Sequence, residues 1–210
     1  MNPILTAAIY VLCALTGYFL GCHNLAHILS RRRGFDIRSV GSNNPGASNT
    51  VITMGWKAGI MVGIHDAAKA FLPAVLAKLL FPQLTLIAAV VGVAAVLGHI
   101  FPVTLRFRGG KGFAPYIGMT LALNWKFALV IMVVIVLITL ITDYIALGTF
   151  TTVISFPVYS VLAAHHYRMA LIIAVASAVV IYRHRENIVR IANGTEIGLR
   201  NVRKTPDSHH

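Results

Sequence analysis

The sequence predicts an all-α polytopic membrane protein with seven transmembrane helices, its N-terminus outside and its C-terminus in the cytoplasm. Three observations lead there. Of 210 residues, 57% are hydrophobic and only 11% are charged, with a mean hydropathy of +0.77, whereas a soluble domain carries about 25% charged residues. Apolar stretches of the roughly 17–20 residues that cross a bilayer recur along the chain. The cations, which give a net charge of +12, gather in short loops between those stretches.

The first stretch, 4–29, is too long for the apolar region of a signal peptide and has no basic segment before it, so it is expected to remain as a helix. Cys13 and Cys22 lie within it as small apolar side chains, without the spacing of a zinc or redox pair. The second helix, 57–80, carries Asp66 and Lys69 three residues apart on one face, where opposite charges pair. Charge at membrane depth is costly and should face the bundle. Both an ion pair locking this helix to its neighbours and a proton path fit the spacing, and His65 fits either. Helices over 83–104 and 112–124 follow, the latter so short that it either tilts little or stops below the far surface. Helices over 127–142, 147–164 and 169–186 complete the set. No soluble domain, repeat or low-complexity linker interrupts them, so residues 1–204 read as one membrane domain, and 205–210 as a tail whose His209-His210 resembles a tag remnant.

Seven crossings assign every loop a side. One side receives Arg31, Arg32, Arg33, Arg38, Lys57, Arg106, Arg108, Lys111, Arg183, Arg185, Arg190, Arg200, Arg203 and Lys204, fourteen of the eighteen cations. The other receives Lys78, Lys126 and Arg168, and Lys69 is inside a helix. Cytoplasmic loops carry the excess of Lys and Arg, which sets the orientation. Against so apolar a background the positive charge suits anionic lipid headgroups, and no recognition module accompanies it that would point to nucleic acid.

Three constellations carry chemistry, all assigned to the cytoplasmic side. In Gly41-Ser42-Asn43-Asn44-Pro45-Gly46-Ala47-Ser48-Asn49, glycine and asparagine tolerate positive φ, and successive amides then form a concavity for an anion. A plain turn would need fewer polar residues. In Arg106-Phe107-Arg108-Gly109-Gly110-Lys111-Gly112, glycines admit close backbone approach, a helix N-terminus follows, and Lys111 adds a full charge. His99 precedes this loop and reads equally as structural or functional. In His184-Arg185-Glu186-Asn187, helical spacing puts His184 and Asn187 on one face, where they can bind a hydroxyl or carbonyl or move a proton; snorkelling to headgroups is the other use of Arg183, Arg185 and Arg190. The sequence has no Gly-x-x-x-x-Gly-Lys-Ser/Thr, no Gly-x-Ser-x-Gly and no obvious carboxylate metal site. A reaction here would rest on cations, amides and positioning, with an activated substrate and neither metal nor cofactor.

These residues resemble the bacterial acyl-phosphate glycerol-3-phosphate acyltransferases of the PlsY type. The resemblance runs through Asp36-Ile37-Arg38 and the Gly41–Asn49 loop, Gly98-His99-x-Phe101-Pro102-Val103 with Phe107-x-Gly109-Gly110-Lys111-Gly112, and His184-Arg185-x-Asn187-Ile188 with Gly194-Thr195-Glu196. It implies seven transmembrane helices in the bacterial inner membrane, a cytosolic active site, and transfer of a fatty acyl group from acyl phosphate to the sn-1 hydroxyl of glycerol 3-phosphate. The products would be lysophosphatidic acid and phosphate. It further implies that Ser42 and Lys111 hold phosphates and that His184 and Asn187 lie beside the reacting groups. Arg38, Asn44, Gly46, Asn49, His99, Gly109, Gly110, Thr149, Arg185 and Glu196 would contribute to substrate binding, Thr149 through a hydroxyl near the acyl phosphate. No protein nucleophile is implied.

The chain departs from the family's pattern at several positions. Ile52 stands where the family has an arginine that binds glycerol phosphate, which would remove a charge-assisted contact. Gly21-Cys22-His23-Asn24 replaces Gly-Ser-x-Pro, Asp143-Tyr144 replaces Arg-Tyr, and Gly198 replaces a lysine. Transfer to another small acceptor, and a non-catalytic lipid-binding or transport role on the same fold, are therefore carried as alternatives.

Overall fold

The structure, a computed structural model, describes residues 2–198 and residue 200. Arg203, Lys204, Asp207 and the 205–210 tail lie outside the described residues. Among the described residues, ten α-helices follow in order: α1 Pro3–Cys22, α2 Leu25–Arg32, α3 Ala47–Met54, α4 Trp56–Leu80, α5 Ile87–Ile100, α6 Phe113–Leu123, α7 Trp125–Thr142, α8 Ile145–Leu162, α9 Tyr167–Arg183 and α10 Arg185–Ala192. There is no strand among the described residues. Among the described residues, five stretches are long and apolar enough to cross a membrane: Pro3–Arg32, Trp56–Leu80, Ile87–Leu105, Trp125–Thr142 and Ile145–Leu162. A sixth counts if α9 and α10, bent by 46° at their junction, form one span. The other apolar helix, α6, has 11 residues.

The expected first helix, 4–29, is interrupted after Cys22. Asn24 turns its side chain back to accept from the His27 amide at 2.8 Å, capping α2. The His23 carbonyl leaves the helical ladder and accepts from Lys69 Nζ at 2.8 Å. The expected helix 83–104 contracts to α5, because two successive turns, closed by Leu84 N to Phe81 O and Ile87 N to Leu84 O, precede it. At its other end Pro102 disfavours a helical Phe101. The last expected helix, 169–186, ends at Arg183, and the chain bends at His184 into α10. The short helices α2, α3 and α10 fall wholly or partly outside the apolar runs that sequence periodicity detects.

The central helix is α5, buried along most of its length. It packs against α1, α4, α6 and α9. A Cβ on Gly21 would strike the Ala95 carbonyl and one on Gly98 the Tyr18 carbonyl, so α1 and α5 meet backbone to backbone, the contact that small residues permit between membrane helices. Fully buried Tyr116, Met119, Phe156, Ile100 and Val180 fill the space between α5, α6, α8 and α9, and the Tyr116 hydroxyl finds Ser177 Oγ at 2.8 Å. Outward-facing Ile4, Leu79, Ile141 and Leu171 are 71–80% exposed, as suits side chains whose solvent is lipid. The Asp66–Lys69 pair forms as expected, 2.8 Å apart and buried.

Candidate functional site

The first loop is organised by its own side chains. Asp36 is chelated by Arg38, with Nε at 3.0 and 3.2 Å and Nη2 at 2.7 Å from the carboxylate. That guanidinium holds the Asp36 carboxyl well below the usual carboxylate range and in turn raises Arg38. Arg38 Nη1 reaches the Leu105 carbonyl at 3.4 Å, tying this loop to the next. Asn49 is fully buried, and each of its polar atoms serves the loop backbone. Its Oδ1 accepts from the Ser42 amide at 2.7 Å, and its Nδ2 donates to Ile37 O and Val40 O at 3.0 and 2.9 Å. Asn49 therefore shapes the loop from within. Ser42 and Asn43 are exposed, Asn44 is half-buried, and Gly46 caps α3 with its carbonyl taken by Thr50. Asn24 Nδ2 donates to Pro45 O at 2.9 Å and anchors the loop to the break between α1 and α2.

The second loop folds back on the end of α5. Arg106 and Phe107 adopt left-handed conformations, after which Gly109 N donates to Ile100 O and Gly110 N to His99 O, both at 3.1 Å. A Cβ on Gly109 would meet the His99 carbonyl, and one on Gly110 the His99 Nε2, so glycine is the residue that fits. Gly112, at φ +91°, turns the chain into α6. Lys111 is half-buried between the two. Burial pushes its ammonium below the ordinary lysine value, and the Arg190 charge adds in the same direction.

The junction of α9 and α10 supplies the facing wall. His184 Nδ1 lies 2.8 Å from the Val180 carbonyl. A carbonyl only accepts, so Nδ1 carries the proton and Nε2 of the neutral ring is left as an acceptor. Lys111 Nζ donates to Asn187 Oδ1 at 2.6 Å. Asn187 Nδ2 donates to Glu196 Oε1 at 2.5 Å, and Glu196 Oε2 accepts from Arg190 Nε at 2.6 Å. The neutral amide of Asn187 thus stands between Lys111 and the carboxylate, which is paired with Arg190 instead. The Lys111 charge remains available to an anion. Arg183 Nη2 donates to Gly109 O at 3.2 Å and closes the wall against the glycine loop.

Of the residues singled out from the sequence, Gly109, Gly110, Lys111, Asn187 and Glu196 share one connected region with His184, next in chain to Arg183. Thr149 is buried in α8 and donates to Ile145 O at 3.3 Å; the next residue, Phe150, packs edge-on to the His184 ring at 5.9 Å. Arg185 stands apart, exposed and stacked 4.3 Å over the Tyr182 ring. Arg190 and Arg183 are part of the wall, although the sequence suggested headgroup contacts for both. Asn24, a departure from the family's pattern, is a buried strut.

The chain matches the family model described as Glycerol-3-phosphate acyltransferase over residues 11–194. It is 34% identical over 201 residues to the Glycerol-3-phosphate acyltransferase 1 of Oceanobacillus iheyensis, covering 90% of this chain and 95% of that protein. To the Glycerol-3-phosphate acyltransferase of Aquifex aeolicus it is 36% identical, covering 85% and 93%. Among solved structures, the crystal structure of PlsY (YgiH), an integral membrane glycerol 3-phosphate acyltransferase, is similar in its glycerol 3-phosphate form at a TM-score of 0.85 and 34% identity, covering 90% of this chain and 95% of that one. The lysophosphatidic acid form gives 0.83 and 32%, covering 92% and 96%.

Proposed function

The chain belongs to the glycerol-3-phosphate acyltransferase family, and from that premise we propose that it moves a fatty acyl group from acyl phosphate to the sn-1 hydroxyl of glycerol 3-phosphate. The hydroxyl oxygen bonds to the acyl carbon, the bond from that carbon to the phosphate oxygen breaks, and the hydroxyl proton leaves with the phosphate. Lysophosphatidic acid and phosphate are the products.

The observation that carries this reading is the Lys111 ammonium, half-buried at the end of a glycine loop and hydrogen-bonded to an amide instead of a carboxylate. Both substrates carry an anionic phosphate, and such a cation stabilises charge most strongly where water is scarce. Ser42 offers an exposed hydroxyl on the neighbouring loop, and His184 Nε2 is an acceptor for the attacking hydroxyl. Arg38 and Asn49 hold the first loop in shape, Glu196 and Arg190 hold Asn187, and Thr149 supports the ground beside His184. The single membrane domain lies in the bacterial inner membrane with seven crossings, counting α6 as one, its N-terminus outside and its site facing the cytoplasm. The cation distribution supports that orientation.

The test is phosphate release by the purified protein in lipid, with palmitoyl phosphate as donor and with or without glycerol 3-phosphate. Release that requires glycerol 3-phosphate and yields lysophosphatidic acid is expected. Lys111→Ala should lower turnover by about 10²–10³, the effect of removing one group that stabilises developing charge. Equal release by the variant would overturn the assignment.

A further inference from the structure

We infer that Lys69, inside the membrane-spanning part of α4, is a positioning residue for the glycine loop: it fixes which nitrogen of His99 carries the proton and so holds that ring against Gly110. The inference rests on reading the loop as the phosphate site. Lys69 Nζ has three partners, His23 O, Asp66 Oδ1 and His99 Nδ1, each at 2.8 Å. An ammonium has three donors and no acceptor, so each partner receives one N–H, and Nδ1 of His99 must be unprotonated. A neutral amine would leave the Asp66 carboxylate, 1% exposed, without a counter-charge, which is costly in the interior. The proton of His99 is therefore on Nε2, the atom that a Cβ on Gly110 would strike.

Ring and loop are joined a second time, through the Gly110 amide on the His99 carbonyl at 3.1 Å. Lys69 thus bears on Lys111 through one imidazole and one glycine. The opposite tautomer has a competing partner in place, because Asp66 Oδ1 lies 3.6 Å from His99 Nδ1. Without the ammonium, Nδ1 takes the proton and turns to that carboxylate, and Nε2 loses its hydrogen. His65 completes the surroundings, with Nδ1 at 3.4 Å from Asp66 Oδ1 and Nε2 at 2.9 Å from His23 Nδ1.

The deciding variant is Asp66→Asn with Lys69→Met, which removes the buried pair as a unit and leaves no uncompensated charge. Imidazole nitrogens are observed by NMR in ¹⁵N-histidine-labelled protein in lipid, with His99→Gln assigning the signal. Michaelis constants for glycerol 3-phosphate and the affinity for inorganic phosphate are measured alongside. The unaltered protein should show His99 protonated at Nε2 only. In the double variant neither the ammonium nor the carboxylate fixes the ring, so the proton should no longer be confined to Nε2, and KM should rise about tenfold, with a smaller change in kcat, the order of loss seen when a partner that orients a histidine is removed. A folded double variant that keeps its tautomer, or keeps both KM and phosphate affinity, overturns the inference. If it does not fold, Gly110→Ala displaces the loop from the ring with the ion pair intact, and an unchanged KM there overturns the inference equally. If the unaltered protein binds phosphate but transfers no acyl group, the proposed activity fails, and the tautomer and phosphate affinity still decide the role of Lys69.

Discussion

Asn187 works as an insulator. Its amide lets Lys111 and Glu196 share a hydrogen-bond chain without sharing charge. Asn187→Asp should put a carboxylate directly on the ammonium and crowd Glu196 with a like charge, lowering kcat/KM by about 3 kcal/mol, the value of a lost electrostatic contact at a reacting centre. Steady-state kinetics with both substrates checks this, and a variant with unchanged kcat/KM would show that the neutral link is dispensable. At the acceptor side, Ile52→Arg should improve glycerol 3-phosphate binding by about 1–3 kcal/mol if new charge-assisted bonds form. A titration of KM against the unaltered protein reads it directly, and no gain would mean that another group supplies that contact. Lys111, Asn187 and Glu196 were each legible as polar residues in basic loops. Their chain was not, because Lys111 and Asn187 are 76 residues apart in sequence. Arg190 was hidden for a related reason: an arginine on a short amphipathic helix looks the same whether it faces headgroups or a half-buried carboxylate.

Among the elements, the long helices were legible because twenty apolar residues leave the chain few alternatives in lipid. The break at His23–Asn24 was not, since the apolar run continues past it. What ends α1 there is a lysine on another helix, taking the carbonyl that would otherwise extend the ladder. The seam between α1 and α5 depends on glycine in a way that composition alone does not reveal. Gly21→Ala presses a methyl group on the Ala95 backbone, which has no rotamer by which to yield. It should destabilise the protein by about 1–3 kcal/mol, seen as a lower thermal midpoint in lipid with turnover retained at low temperature. A midpoint equal to that of the unaltered protein would show that the seam can open.

For the molecule as a whole, orientation is the quantity to measure. In a Cys13→Ala, Cys22→Ala background, Arg32→Cys and His166→Cys place single thiols at exposed positions in the two loop sets. A membrane-impermeant maleimide should label His166→Cys in intact cells and Arg32→Cys after permeabilisation, and the reverse pattern would invert the topology. The charge asymmetry leads to this expected orientation without reference to the fold, whereas the helix count turns on α6, which is short. Its 11 residues rise about 16 Å, roughly half of a hydrocarbon core about 30 Å thick. Asn124 and Trp125, directly after it, begin α7, which the proposed topology puts at the far boundary. On the proposed topology the near end of α6, at Gly112, would be recessed, and the glycine loop would form the floor of a notch in the bilayer surface. A water-borne polyol phosphate can descend into such a notch, while an acyl chain stays in its leaflet and slides in sideways. In the proposed reaction the two reactants would meet without either being extracted from its own phase, and the fatty product would already be in the membrane when it is made.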